Sequence, residues 1–269
     1  MDKPFFSVIV CSIDPWRFAQ ISTCYEHLLV NFPFEIIGIH DARSLAESYS
    51  RALRRARGDI MIFSHDDILI LDPDFGHKIA SRLQKFDILG FAGTTRLETG
   101  IWWSARMPYL FGAVATPHPE KLHLNIWNTG YWPVADGIQA IDGLCIIARR
   151  EAAMETGFDE TTFDGFHLYD IDFSFSAWRA GKILGVCCDI PIIHASMGKY
   201  DKTHEKYNRL FIEKHRDALP ASPKPISAIE GIAVDLSDHH VLREVWQEDI
   251  FRRVSVSTRR QAAASAMAA

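Results

Sequence analysis

The first 64 residues alternate between strand and helix patterns, and no other feature restricts the fold of this chain as much. Residues 5–13 are mostly apolar and β-prone, 17–30 carry a helical pattern, and 34–40 return to strand. Ser44 and Glu47 then form a capping-box pair. Leu45, Tyr49, Ala52, Leu53 and Ala56 recur at helical spacing, and Gly58 stands where a C-terminal cap belongs, which predicts a helix over 45–57. The apolar strand 59–64 follows at once. This order predicts an α/β fold with a mainly parallel central sheet and helices on both faces. Such sheets bind ligands beyond the carboxyl ends of their strands. Asp41, after the second strand, and His65-Asp66-Asp67, after the third, are therefore expected on one ligand-bearing edge.

Bulk properties narrow the function. With 269 residues, 48% of them hydrophobic, the chain can bury a full core, and one main domain with an appendage is expected. A formal charge of −5 and the lack of a basic face argue against nucleic acid as a partner. The five cysteines are odd in number and show no paired spacing, so they read as reduced thiols rather than as a disulfide framework or zinc site. No apolar run approaches the ~18 residues of a membrane span. The start of the chain resembles a signal peptide only superficially and reads better as a first core strand.

Further along, the pattern predicts a helix over 73–86 and a strand over 87–94. The Trp-, Pro- and His-rich stretch 101–133 shows no clear periodicity and reads as an active-site loop region. A strand over 140–149, a short helix over 150–156 closed by Gly157, and a helix from Asp172 to Gly181 come next. A strand over 182–188 and an amphipathic helix over 202–219 complete a catalytic unit of residues 1–219. Residues 220–269 are expected to hold a linker at 220–225, one helix over 239–253 and a disordered small-residue tail at 262–269.

Several side chains suit chemistry. Asp66 and Asp67 end a buried strand, where two carboxylates can converge on Mg or Mn, although acids also mark ordinary strand-to-loop boundaries. Asp172 suits a helix cap, whereas Asp170, one step outside that helix, is free to accept a proton from an attacking hydroxyl. His194 follows a strand and offers an imidazole to a metal or phosphate. Trp102 and Trp103 suit either a core or a sugar-stacking surface.

These features, in this order, resemble a GT-A glycosyltransferase of the family-2-like kind over about residues 5–196. Ala56-Arg57-Gly58-Asp59-Ile60-Met61-Ile62-Phe63 is similar to the run leading into the family's DXD motif, and His65-Asp66-Asp67 falls on that motif. His65 replaces its first acid, as in the branch that includes a streptomycin-biosynthesis-type transferase. Gly157-Phe158-Asp159-Glu160 resembles the family's Gly-Phe-Asp-Glu turn, and Tyr169-Asp170-Ile171-Asp172 its Glu-Asp-Val-Asp string.

The resemblance implies an inverting, metal-dependent transfer of a sugar from a nucleoside-diphosphate sugar to a carbohydrate or other hydroxyl acceptor. In it, Asp170 is the catalytic base, Asp67 the metal ligand with help from His65 and His194, and Asp41, Asp66, Asp142 and Gly143 contact the donor. Trp102, Trp103 and Tyr169 face the acceptor. It further implies a cytoplasmic enzyme of polysaccharide or secondary-metabolite assembly, with peripheral contact at the inner membrane face left open. Two alternatives stand beside it: a nucleotidyltransferase, for which the expected Gly-rich loop after the first strand is missing, and a catalytically inactive nucleotide-sugar-binding protein.

Overall fold

The structure, a computed structural model, describes residues 3–118, 121–127, 133–196, 198, 200–220 and 232–236. The expected linker at 220–225 (beyond Pro220), helix over 239–253 and tail over 262–269 lie outside the described residues.

The N-terminal half follows the predicted alternation. β1 (Phe6–Cys11), α1 (Pro15–Leu28), β2 (Phe34–Ile39), α2 (Leu45–Leu53) and β3 (Ile60–Ser64) come in that order, followed by β4 (Ile68–Ile70) and α3 (Phe75–Arg82). β3 is buried along its whole length, which is why its sequence reads as an unbroken apolar run rather than an alternation. Ser44 caps α2 by accepting the Glu47 N–H at 3.1 Å, an interaction worth about 1 kcal/mol.

α2 is shorter than predicted, and Gly58 is not its cap. The Gly58 N–H instead donates to Ser7 Oγ at 2.8 Å, and a Cβ there would sit 2.6 Å from the Ser7 backbone nitrogen. Glycine is required at 58 by the close approach of β1, not by a left-handed turn. At the end of the next helix in the second half, Gly157 does adopt φ +65° and closes it as expected.

The second half departs further from the sequence reading. The strand expected over 87–94 is two, β5 (Ile88–Gly90) and β6 (Ala92–Thr94), in different sheets. The stretch read as an irregular loop folds as a 3₁₀ turn at Trp102–Ala105 and a hairpin, β7 (Leu110–His118) with β8 (Lys121–Trp127). Gly112 and Pro117 inside β7 are strand-breaking residues and hid it. After β9 (Val134–Ala135), the strand expected over 140–149 is also broken, into β10 (Ala140–Ile141) and β11 (Cys145–Arg149). α4 (Arg150–Thr156), α5 (Tyr169–Arg179), β12 (Leu184–Cys187), β13 (Ile192–His194) and α6 (Lys202–Lys214) follow. One strand not read from sequence, β14 (Ile232–Leu236), pairs antiparallel with β8.

The strands build two sheets. The first has the order β2-β1-β3-β11-β5-β12-β9, in which β11 and β9 run against the other five, so it is mainly parallel. α2 packs on β1 and β2, and α4 on β3 and β11. The second has the order β10-β6-β7-β13-β4, with β8 joined to β7 and β14 to β8. Among the described strands the chain passes between the sheets seven times, including from β3 to β4, from β5 to β6 and from β10 to β11. Glycines make that seam tight: a Cβ on Gly90 would lie 2.1 Å from Ile141 Cγ2, and one on Gly93 2.4 Å from the Ala140 carbonyl. Among the described residues no helix is long and apolar enough to cross a membrane.

Candidate functional site

Beyond the end of β3, at the seam, lies a cavity of about 580 Å³ whose walls include His65, Asp142, Gly143, Tyr169, Asp170 and His194. β3 ends at Ser64, so His65 is the first residue past the buried strand, and its N–H bonds to the Leu144 carbonyl at 3.1 Å. Its Nδ1 lies 3.3 Å from His194 Nε2 and 3.9 Å from Asp67 Oδ1. His194, at the end of β13, brings Nε2 within 3.3 Å of the same carboxylate oxygen. The backbone locks this pairing, since the Ala195 N–H donates to the Asp67 carbonyl at 2.8 Å.

Electrostatics favour the ligand forms of His65 and Asp67. Burial, then the neighbouring His194 charge, hold the His65 imidazole below its usual pKa and so neutral, with a lone pair available. Burial pushes Asp67 upward, but the His194 hydrogen bond and the two imidazoles outweigh it and bring the carboxyl down to about 2. His194 moves oppositely: burial lowers it, and the Asp67 bond and nearby carboxylates raise it above the usual value. Ligand atoms of His65, Asp67 and His194 all lie within 4.8 Å of one another, a two-imidazole, one-carboxylate set that fits a divalent cation.

Tyr169 holds His65 from the other side. Its hydroxyl is 2.9 Å from His65 Nε2, and its ring is wedged against Tyr49 at 5.6 Å between centroids. α5 begins at Tyr169, not at Asp172 as expected, so both aspartates lie in its first turn. Asp172 is not the cap. The capping position belongs to Leu168, whose φ of +62° is strained for a leucine and makes no side-chain cap bond. Asp172 instead points away from the cavity and is buried against His215 Nε2 at 2.8 Å and Lys214 Nζ at 2.9 Å.

Asp170 is half-buried beside a second carboxylate. Burial first, and the Asp142 charge second, raise its pKa to about 7. The Gly143 N–H donates to its Oδ2 at 2.7 Å, so one carboxylate oxygen is oriented by the backbone. A Cβ on Gly143 would lie 2.5 Å from the Tyr169 hydroxyl and 2.8 Å from Asp170 Oδ2, so only glycine allows this approach. Asp142 accepts from the Trp102 indole N–H at 2.9 Å and from the Leu144 N–H at 3.1 Å.

Of the residues singled out from sequence, the structure gathers His65, Asp142, Gly143, Tyr169, Asp170, His194, Trp102 and Trp103 around this cavity, with Asp67 bonded to it through His194. Two stand apart. Asp66 turns toward α1, accepting from Ser12 Oγ at 2.6 Å, with the Arg17 guanidinium 3.9 Å away. Asp41 is 74% exposed and held bidentately by Arg51 at 2.9 and 3.1 Å. Sequence reasoning missed Asn125, Trp127, His167, Tyr200 and His204, which also line the cavity. The apolar–polar alternation of Leu122-His123-Leu124-Asn125-Ile126-Trp127 was the available signal for the first two.

No curated protein matches the sequence. Among solved structures, a mannosyltransferase, PcManGT from Pyrobaculum calidifontis in complex with GDP-Man and Mn2+, is similar at 13% identity over 99% of this chain and 76% of its own, with a TM-score of 0.49. GalNAc-T7 with UDP, GalNAc and Mn2+ matches at 11% identity over 78% of this chain and 48% of its own, TM-score 0.48. S. aureus TarS 1-349 matches at 12% identity over 81% and 72%, TM-score 0.43. The sequence itself carries the assignment: the family model described as a glycosyltransferase-like family matches residues 7–215, which takes in the whole cavity and the described strands other than β14 and the first residue of β1. A mainly parallel sheet beneath that match agrees with the GT-A architecture expected from the sequence. The chain belongs to the glycosyltransferase-like family.

Proposed function

We propose that this glycosyltransferase moves a sugar from a nucleoside-diphosphate donor to an acceptor hydroxyl with inversion, using Asp170 as general base and a divalent cation held by Asp67, His65 and His194. One observation carries the reading: two members of a convergent three-donor set, His65 and His194, line the same cavity as a half-buried carboxylate, Asp170, with no cationic partner among the described residues.

With a pKa near 7, Asp170 is about half ionised at neutral pH and is matched to taking a proton. Backbone hydrogen bonds, the Gly143 N–H to Oδ2 at 2.7 Å among them, orient the carboxylate that would take the proton of the acceptor hydroxyl. As that hydroxyl loses its proton to Asp170, its oxygen bonds to the anomeric carbon from the face opposite the diphosphate, whose bond to that carbon breaks. A cation in the three-donor set would offset the charge gathering on the departing diphosphate. Two imidazoles favour Mn2+ over Mg2+, which prefers oxygen donors in strict octahedral geometry. Tyr169 orients His65, and the donor nucleotide would lie along the ends of β1–β3, toward Asp66, Ser12 and Asp41. Family membership favours this reading over a nucleotidyltransferase.

Thermal shift tests it, using UDP-, GDP-, CMP- and dTDP-sugars with and without Mn2+. One donor is expected to raise the melting temperature only with the cation, by about 2.7 kcal/mol of stabilisation at a hundredfold excess over Kd. Asp67→Ala is expected to abolish that dependence. A cation-dependent shift that survives Asp67→Ala sinks the assignment.

A further inference from the structure

The β7–β8 hairpin presents a chemically distinct wall to the cavity. Its register sets Gly112 opposite Trp127, Val114 opposite Asn125 and Thr116 opposite His123, so alternate residues of both strands share one face. Val114, Thr116, Asn125 and Trp127 of that face line the cavity that holds Asp170, while the intervening Ala113, Ala115, Leu124 and Ile126 are buried.

Aromatic rings extend this wall. Trp127 meets Trp102 at 87° with centroids 5.4 Å apart, and Trp103 meets Tyr200 at 87° and 5.6 Å, its indole N–H donating to the Tyr200 hydroxyl at 3.1 Å. All four rings line the cavity.

Two further observations select the chemistry of an occupant. Trp127 Nε1 is buried and meets no acceptor among the described residues, so an occupant that brings an oxygen relieves an unsatisfied donor. Among the described residues no Lys or Arg lines the cavity, whereas Asp142 and Asp170 do. A carboxylate, sulfate or phosphate on the acceptor would meet these two carboxylates with no Lys or Arg on the walls, only histidines, to offset the repulsion. A pyranoside ring has a C–H face for the aromatic rings and a hydroxyl edge for Trp127, Asn125 and Thr116.

We infer that the cavity face of the β7–β8 hairpin is the acceptor subsite and that it takes an uncharged pyranoside ring. The inference deepens the transferase reading above and rests on it for the role of acceptor. Asp170 lines the same cavity, so a ring seated on this wall has a hydroxyl available to the base.

The test uses full-length protein with isotope-labelled tryptophans, whose seven indole N–H resonances are followed by NMR, that of Trp127 being identified with Trp127→Phe. The titrants are methyl glycosides of neutral hexoses, glucuronate and a hexose phosphate. At least one neutral glycoside is expected to move the Trp127 resonance saturably, with no response to the two anions. Asn125→Ala and Thr116→Val are each expected to weaken that binding by up to about tenfold, the loss of one hydrogen bond. Silence to every neutral glycoside, an equal response to the anions, or unchanged binding in both variants overturns the inference. Cation-dependent donor binding in the same samples separates the two readings. Donor binding without a glycoside response removes the acceptor subsite alone. A glycoside response without binding of any donor overturns the transferase reading and, with it, the acceptor role.

Discussion

Two aspartates in the first turn of α5, Asp170 and Asp172, share a helix end, the first half-buried and the second fully buried, yet their surroundings differ completely. At roughly 100° per residue they point to nearly opposite sides of the helix. Asp170 faces the cavity, where its charged neighbour is another carboxylate, Asp142, and its pKa rises to about 7. Asp172 faces α6 and is met by Lys214 and His215. Arg179 donates to His215 Nδ1 at 3.2 Å, which leaves the proton on Nε2 to donate to Asp172. Position along a helix does not set the role of a buried acid; the partner opposite it does. One face is left uncompensated and reactive, and the other is neutralised and structural.

Exchanging the two acids' chemistry for inert side chains tests this contrast at its largest scale. Asp170→Asn keeps the Gly143 hydrogen bond and loses the base, so turnover is expected to fall by about 10² to 10⁴ while cation-dependent donor binding persists. Steady-state assays beside thermal shift read both quantities, and unchanged turnover removes Asp170 from the mechanism. Asp172→Ala is expected to do the reverse, leaving Lys214 and His215 without their buried acceptor at a cost of about 3 kcal/mol of stability. Denaturant midpoints measure it, and the turnover of the folded fraction should change little; a catalytic loss as large as that of Asp170→Asn would erase the distinction.

Subtler tests use pH. The base must be ionised to work, so kcat/KM is expected to rise about tenfold per unit up to a pKa near 7 and to level off above it. A profile flat from about pH 5 to 8 would contradict the assignment. A last test reads stability. Asp170 titrates near 7 folded and near 3.9 unfolded, so the native state binds the extra proton in between. Its contribution to stability is therefore fully present below about pH 4 and lost as pH climbs through about 7. Asp170→Asn lacks that loss and is expected to melt higher than the parent at about pH 8, the two curves converging toward about pH 4. A gap that widens on acidification would show the sign to be wrong.

The contrast between the two sheets explains what could be read from the residues alone. β1, β3 and α2 announce themselves because burial on both faces yields unbroken apolar runs and a capped helix yields 3.6-residue spacing. β5, β6 and β10 are two or three residues long, too short to carry any period, and their assignment to one sheet or the other is decided by contacts such as Gly90 against Ile141. The same holds at the site. His65, Asp142, Asp170 and His194 sit next to strand or helix ends and are visible as polar residues at boundaries. Tyr200 reaches the cavity from an irregular segment, where nothing local distinguishes it from a core aromatic, and Trp127 is marked only by the weak alternation of a strand that Gly112 and Pro117 of its partner obscure. Asp172 was misassigned because its partners, Lys214 and His215, lie more than 40 residues away.

The crossing from β10 to β11 leaves only Asp142, Gly143 and Leu144 between one sheet and the other. Those three residues touch Trp102, Asp170 and His65 respectively, so one of the chain's passages between the sheets is also a joint of the candidate site. A chimera that grafts a relative's hairpin onto this framework must import the 140–145 connector with it, because the two halves are not interchangeable parts but are stitched together at the spot where they must act in concert.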